Sequence, residues 1–320
     1  IEGEEIIDRR VGRDLTSQES QALAAEVNEK LTLPEATFEL KATVEHRGAL
    51  VIRSAKGPLS AEVGNTDPAY VKQGPLGVAL ETFPNRVARS EPLEETEAAR
   101  LGAELTNRFV EGARRVLEAS EVNANRRAAG KLPGNLILTR DAGDHIPRLQ
   151  PIRDRFGPSW GCFVEMPVER GIAMVLGMAE VPAPTPDDPE ERYAAWAALA
   201  AEALGGHDAL YIHIKGPDVP AHDGRAEDKR TVCEQIDGAF FGELLPRIDP
   251  SSTLVAVTAD HATSCARKAH TDDPVPLLVS GPGVSADAPD VFGERAAAAG
   301  ALGTMNGVDI VPALVELLRR

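Results

Sequence analysis

The sequence of 320 residues is poor in cysteine, in aromatic residues and in positive charge. Its three cysteines are widely separated and odd in number, so the sequence predicts no disulfide framework and fits a reducing cytoplasm. No hydrophobic run approaches the ~18 residues of a membrane helix, and no secretory signal peptide is visible. The sequence therefore predicts a cytoplasmic protein without a membrane partner.

The shortage of positive charge also limits the partners. The sequence has 34 Lys and Arg against 50 Asp and Glu, a formal net charge of −16. A negative field of this size disfavours nucleic acid and anionic membranes as partners. An anionic substrate would need a local cluster of basic side chains.

Two short strings combine aspartate with histidine. Asp218 precedes His222 by four residues, and the adjacent pair Asp260 and His261 is followed nine residues later by His270. Each string follows an apolar run, and the carboxyl ends of parallel strands face one crevice, so we expect the strings to converge. Carboxylate oxygen with imidazole nitrogen suits Zn or Mn. The pattern predicts a metal centre for more than one ion, the alternative being surface charge or a hydrogen-bonded pair.

The organisation of the chain changes near residue 135. After it, short apolar runs alternate with amphipathic segments, which is typical of a parallel sheet with helices on both faces. Before it, helices flank a β-hairpin pattern, which predicts a small α+β domain. The expected domains are therefore 1–134 and 135–320. The predicted strands are 37–44, 49–52, 135–139, 161–164, 209–214, 253–258 and 275–279, and the predicted helices are 17–31, 94–120, 190–204, 227–245 and 307–318.

Arginines of the first domain form a second chemical signal. The segments 8–13, 46–48 and 123–127 place guanidinium groups beside glycine or small polar residues, where they suit phosphate or carboxylate. Lys215 follows a predicted strand and could neutralise an anion as a point charge. The alternative is an ordinary solvated basic face. We predict that Arg10, Arg13, Arg47 and Arg126 converge with Lys215 on one oxyanion pocket between the domains.

A series of motifs occurs in order along nearly the whole chain. The motifs are Asp8-Arg9-Arg10-Val11-Gly12-Arg13, Glu45-His46-Arg47, Thr66-Asp67-Pro68, Val122-Asn123 with Arg126, His213-Ile214-Lys215 with Asp218, His222-Asp223-Gly224, Asp260-His261, and His270 leading into Asp273-Pro274-Val275-Pro276. Together they resemble the archaeal-type cofactor-independent (2,3-bisphosphoglycerate-independent) phosphoglycerate mutases of the alkaline phosphatase superfamily.

The resemblance implies an α/β fold, an alkaline-phosphatase-like core with a mostly parallel sheet and helices on both faces, plus a smaller α+β cap domain. It implies two divalent ions, Mn or Zn, with Mg or Co possible. Asp218, His222 and His270 match the ligands of one ion, and Asp260 and His261 match ligands of the other. The implied substrate is a small phosphorylated hydroxy acid, and an oligomer is possible. The implied substrate-binding residues are Asp8, Arg9, Arg10, Arg13, His46, Arg47, Arg126 and Lys215.

The resemblance also implies a serine that becomes phosphorylated and an early aspartate that completes the second metal site. In the family both precede the Asp8–Arg13 string, so we expect neither among these 320 residues and assign no catalytic serine. The expected function is the glycolytic interconversion of 3-phosphoglycerate and 2-phosphoglycerate through the phosphoserine, with the 320-residue chain incomplete for catalysis. The alternatives are a metal-dependent phosphohydrolase or phosphonate-pathway homologue, and a non-catalytic fragment or regulatory homologue.

Overall fold

The fold was obtained as a computed structural model, which describes residues 1–74, 76–80, 82–288 and 291–319. The chain forms two compact units, Ile1–Ile146 and Pro147–Arg320. Each unit has its own hydrophobic core. The predicted domains 1–134 and 135–320 stay a prediction. No helix in the described part of the chain is both long and apolar enough to cross a membrane.

The first unit is built on a β-hairpin and a long helix. One face of the hairpin packs on this helix, with Phe38 edge-to-face against the fully buried Phe109 at 5.2 Å between ring centroids. The predicted hairpin and the helices predicted over 17–31 and 94–120 are confirmed. The elements are α1 (Ser17–Lys30), β1 (Ala36–Ala42) paired antiparallel with β2 (Gly48–Ser54), β3 (Tyr70–Gln73) paired antiparallel with β4 (Leu76–Ala79), α2 (Glu97–Glu118) and α3 (Glu121–Ala128).

Helix α1 begins with a capping box. The Thr16 hydroxyl accepts a hydrogen bond from the Glu19 backbone N–H at 3.1 Å, and the Glu19 carboxylate accepts one from the Thr16 N–H at 2.9 Å. These two bonds satisfy donors that the helix itself leaves without partners. The cap therefore fixes where α1 starts.

The strand predicted over residues 135–139 is wrong, because this segment joins no sheet. Leu136 and Ile137 pack on the core of the first unit. Thr139 exchanges backbone and side-chain hydrogen bonds with Thr66. The apolar run therefore marks burial, not strand pairing.

The second unit contains a parallel sheet in the order β6-β5-β7. Its strands are β5 (Trp160–Val164), β6 (Ala179–Glu180) and β7 (Ala209–His213), and helix α6 (Pro189–Ala203) follows a proline-rich loop at residues 181–188. Phe163 of β5 contacts Trp196 of α6 edge-to-face at 5.2 Å, and the Trp196 indole N–H donates to the Pro184 carbonyl at 2.7 Å. The predicted strands 161–164 and 209–214 and the predicted helix 190–204 are confirmed.

The remaining strands of the second unit pair differently from the expectation. The strands near 253–258 and 275–279 pair with each other antiparallel instead of extending the parallel sheet. The strands are β8 (Val255–Val257) with β11 (Leu278–Ser280), and β9 (Ala262–Ser264) with β10 (Ala269–Thr271). The helices are α4 (Ile152–Phe156), α5 (Pro167–Val175), α7 (Asp218–Asp223), α8 (Ala226–Gln235), which continues as a π-helix (Ile236–Phe241), α9 (Gly242–Leu244), α10 (Glu294–Ala297) and α11 (Gly307–Leu318).

Candidate metal centre

Helix α7 and strand β10 bring three side chains of the predicted centre together. Asp218 opens α7, and His222 lies one turn later on the same helix face. The Asp218 Oδ1 atom lies 3.5 Å from His222 Nε2 and 3.6 Å from His270 Nε2, and the two Nε2 atoms lie 3.1 Å apart. The structure thus gathers one carboxylate oxygen and two imidazole nitrogens at one point.

The dimensions of this cluster fit a divalent ion. A triangle with sides of 3.1, 3.5 and 3.6 Å has its centre about 2 Å from each corner, which is close to the ~2.0–2.1 Å of Zn–N bonds. The donor chemistry, one oxygen and two nitrogens, also suits Zn or Mn. Three protein donors leave a coordination position for a further ligand, as in catalytic sites.

Close packing between α7 and the β9–β10 hairpin fixes this geometry. Helix α7 ends at Gly224, which has φ +77°, and a Cβ atom there would lie 2.6 Å from Lys268 Cε and 3.2 Å from the Cys265 carbonyl oxygen. Glycine adopts this left-handed conformation without strain and leaves room for the Cys265 carbonyl beside it. The His222 Nδ1 atom lies 3.2 Å from the Lys268 carbonyl oxygen, which orients the ring. The hairpin thereby places His270 opposite His222.

Asp260 and His261 lie beside these three side chains. The His261 ring stacks on the His270 ring at 3.7 Å between centroids, and His261 Nε2 lies 3.1 Å from Asp260 Oδ2. The five residues of the two strings therefore converge. Their roles as metal ligands, and the second ion, stay predictions.

The carboxylates of the cluster are held in the charged form. Burial alone would raise the pKa of Asp218, but hydrogen bonds from the Lys215 ammonium, at 2.8 Å, and the Thr263 hydroxyl, at 2.6 Å, lower it below its usual range. The neighbouring His213 side chain, with further contributions from His261, lowers the pKa of Asp260 to about 2. Ionised carboxylates are the form that binds a metal ion.

The sequence analysis missed three neighbours of the cluster. Thr263 contacts Asp218, His213 Nε2 lies 3.9 Å from Asp260 Oδ2, and Glu169 Oε1 lies 3.9 Å from the same His213 nitrogen. From its place inside an apolar run, His213 is expected to be a core histidine with its hydrogen bonds satisfied, and this expectation is wrong, because its buried Nδ1 has no hydrogen-bond partner among the described residues. Its position at the carboxyl end of a parallel strand was the available signal.

A cluster of basic side chains occupies the first unit. Val11, Gly12 and Arg13 have φ of 55°, 67° and 57°, so a left-handed turn sets the direction of the arginines around it. Burial, followed by the charge of Arg13, lowers the pKa of Arg10. Within the described residues, no carboxylate forms an ion pair with Arg10. This guanidinium is therefore suited to an external anion.

Other predicted anion-binding residues are paired within the unit. Arg9 donates two hydrogen bonds to Asp67, and Arg47 lies 3.1 Å from Glu45. Asp8 accepts the backbone N–H of Arg10 at 2.5 Å. Lys215 belongs to the second unit and pairs with Asp218 there.

Arg126 lies in the last turn of α3 and is buried, with 2 % of its surface exposed. Its guanidinium donates to the carboxylates of Asp14 and Glu19 and to the Leu132 carbonyl, at 2.8 Å for the last. With its donors engaged by two acidic side chains, Arg126 is neutralised within its own unit. This geometry favours a structural role over binding of an external anion.

Replacing His46 by glutamine should flatten the dependence of stability on pH. Burial, then repulsion by Arg47, lowers the pKa of His46 to about 4, against an ordinary ~6.5. His46 binds a proton more tightly in the unfolded state than in the folded state. Its protonation therefore leaves the free energy of unfolding unaffected above about pH 6.5 and lowers it as pH falls towards 4. Between about pH 7 and pH 4 the wild type should lose about 2 kcal/mol more than H46Q in urea unfolding.

The exposed His145 provides the control for this experiment. H145Q should lose stability with falling pH as the wild type does. Equal losses for H46Q and the wild type would contradict a buried, neutral His46.

The fold and the cluster together define a metalloenzyme of mixed α/β architecture. Residues 180–317 match the model of the Metalloenzyme superfamily, and residues 1–123 match that of 2,3-bisphosphoglycerate-independent phosphoglycerate mutase. Superfamily membership implies divalent metal binding.

Relatives carry the same family name. The chain is 42 % identical to the 2,3-bisphosphoglycerate-independent phosphoglycerate mutase of Aeropyrum pernix, over 98 % of this chain and 75 % of the relative. It is 35 % identical to that of Pyrobaculum aerophilum, over 98 % and 73 %. The chain thus spans about three quarters of the length of these relatives. It belongs to the 2,3-bisphosphoglycerate-independent phosphoglycerate mutases, which are isomerases.

Solved structures agree with this assignment. The cofactor-independent phosphoglycerate mutase of Thermoplasma acidophilum matches with a TM-score of 0.58 and 27 % identity, over 99 % of this chain and 74 % of that one. A Pyrococcus horikoshii protein matches in fold with a TM-score of 0.71 and 24 % identity, over 98 % and 72 %. The predicted family and the alkaline-phosphatase-like α/β fold are confirmed.

Proposed function

We propose that this chain serves the interconversion of 3-phosphoglycerate and 2-phosphoglycerate in the cytoplasm, with two divalent ions, Mn or Zn. The observation that carries the proposal is the triangle of Asp218, His222 and His270, in a chain that belongs to the mutase family. Asp260 and His261 would contribute to the second position. When bound, divalent ions stabilise charge on the attacking and transferring oxygens.

The phosphoryl group would move by a covalent relay. A serine, which we do not assign to a residue of this chain, would form a bond to phosphorus as the bond to the 3-oxygen of the substrate breaks. The glycerate would turn, and its 2-hydroxyl would form the new bond to phosphorus as the bond to the serine breaks. Water must be excluded throughout, because it would release inorganic phosphate instead.

The basic cluster of the first unit would hold the anionic groups of the substrate. Arg10 supports this role best, because its guanidinium lies among other cations and forms no ion pair with a carboxylate of the described residues. A phosphate or carboxylate would find a bidentate partner there. Since the chain carries a net charge of −16, such a focused patch is needed for an anion to approach.

Replacing Arg10 by glutamine should weaken productive binding of 3-phosphoglycerate. A charge-assisted hydrogen bond contributes about 1.5–3 kcal/mol, so kcat/KM should fall by roughly tenfold or more. The assay follows formation of 2-phosphoglycerate and of inorganic phosphate by the product of the complete reading frame that encodes this chain, supplied with Mn²⁺.

The matched control is Arg108→Gln, which changes an exposed arginine of the same unit that pairs with Glu104. R108Q should leave kcat/KM unchanged. Release of inorganic phosphate without 2-phosphoglycerate would replace the mutase proposal by a phosphohydrolase. Equal kinetics for R10Q and wild type would remove Arg10 from the substrate site.

A further inference from the structure

We propose that Thr263 is a positioning residue of the metal centre, which orients Asp218 and keeps a proton on His261 Nδ1. The inference rests on the proposed metal centre and adds to it a residue that is not itself a ligand. Thr263 lies in the middle of β9 and is 6 % exposed, so its hydroxyl must find its partners inside the protein.

Thr263 touches or faces every segment of the cluster. Its Oγ1 atom lies 2.6 Å from Asp218 Oδ1 and 3.2 Å from His261 Nδ1. Across the hairpin its strand partner is His270. One buried residue therefore connects α7, the turn after β8, and β10.

The hydroxyl fixes the direction of both hydrogen bonds. A hydroxyl has one proton to donate, and an ionised carboxylate only accepts, so the Thr263 proton goes to Asp218. Oγ1 then accepts, and His261 Nδ1 must be the donor. Nε2 lies 3.1 Å from the ionised Asp260 Oδ2, so a proton or a cation must lie between them; with a proton held on Nδ1, a metal ion that replaced the Nε2 proton would find the Nε2 lone pair available.

Other contacts hold Thr263 and Asp218 in this arrangement. The Lys229 ammonium donates to the Thr263 carbonyl at 3.0 Å, which secures the backbone of β9 against α8. Lys215 binds Asp218 Oδ2 at 2.8 Å while Thr263 binds Oδ1. Both oxygens of the Asp218 carboxylate therefore accept a hydrogen bond. Removal of the Thr263 hydroxyl would leave Oδ1, the oxygen that faces His222 and His270, without this donor.

The test compares Zn²⁺ binding by wild type, Thr263→Val and Thr263→Ser in isothermal titration. Valine keeps the branched shape and removes the hydroxyl, whereas serine keeps the hydroxyl. Loss of a hydrogen bond to a metal-ligating side chain weakens metal binding by about 10–100-fold, and we expect a loss of this size for T263V. T263S should stay within about threefold of the wild type, a difference of less than 1 kcal/mol. The control is Thr231→Val, whose exposed hydroxyl bonds only its own helix, at the Glu227 carbonyl.

A second readout is specific to the proposed hydrogen bond. In the zinc-loaded wild type labelled with ¹⁵N-histidine, His261 should show a protected proton on Nδ1. This signal should persist in T263S and be lost by exchange in T263V, which a merely structural role of Thr263 would not produce. The wild-type spectrum decides the point even where T263V does not fold.

The outcomes separate the two proposals. Wild-type affinity in T263V, or a zinc-loaded wild type whose His261 Nδ1 carries no protected proton, would overturn the role of Thr263 and leave the metal centre intact. A wild type that binds no Zn²⁺ would overturn the centre, and the role of Thr263 with it.

Discussion

Replacement of Asp218 by alanine should lower the affinity for Mn²⁺ or Zn²⁺ by more than about 100-fold. Loss of a residue that only hydrogen-bonds a metal ligand already weakens binding by about 10–100-fold, and loss of a ligand should cost more. Asp218 supplies the only negative charge of the triangle that it forms with His222 and His270. Two neutral imidazoles without a carboxylate hold a divalent ion far less well. Isothermal titration measures the loss, and mutase turnover of the complete gene product should fall with it.

The control for D218A is Asp228→Asn, which removes one exposed carboxylate of the same unit from its pair with Arg225. D228N should bind the ion as the wild type does, since a surface ion pair contributes only about 0–1 kcal/mol. Unchanged affinity in D218A would mean that the ion binds elsewhere on the chain.

Replacement of Arg126 by methionine should lower the free energy of unfolding by about 1–3 kcal/mol, the scale of leaving a hydrogen-bonding group inside the protein, here the Leu132 carbonyl, without its partner. The methionine keeps much of the apolar stem but leaves Asp14 and Glu19 without their shared cation, and the Leu132 carbonyl without its donor. Urea unfolding at neutral pH measures the difference. Among molecules that remain folded, binding of 3-phosphoglycerate should be unchanged.

The next residue provides the control for R126M. Arg127 is 41 % exposed and pairs with Glu118 on the surface, so R127M should lower stability by less than about 1 kcal/mol. Loss of 3-phosphoglycerate binding by a stably folded R126M would return Arg126 to the substrate site.

Hydrophobic periodicity predicted some elements of the fold and failed for others. Periodicity predicted α1, α2, α6 and the β1–β2 hairpin, because each buries one face at a regular spacing. The run at 135–139 has the same apolar character, but Leu136 and Ile137 bury themselves against helices instead of pairing as a strand. Periodicity cannot distinguish these two forms of burial in so short a segment.

The sequence likewise predicts only part of the metal centre and of the Arg126 contacts. The spacing of four residues between Asp218 and His222 puts both on one helix face, and this could be predicted. The approach of His270 depends on a hairpin whose strands are three residues long, which is too short for periodicity to predict. The neutralisation of Arg126 depends on Asp14 and Glu19, which lie more than 100 positions away in the chain. Such pairings follow from tertiary packing alone.

The Glu19 carboxylate accepts hydrogen bonds from two different segments of the chain, at Thr16 and at Arg126. The carboxylate that closes the capping box of α1 with Thr16 is the same one that receives Arg126 from the end of α3. Fraying of the first turn of α1 therefore removes a counter-charge from Arg126, and departure of Arg126 loosens the side chain that caps α1. The two helix ends are coupled in the free energy of local opening. They should exchange their amide hydrogens as one cooperative unit, although in the sequence they stand a hundred residues apart.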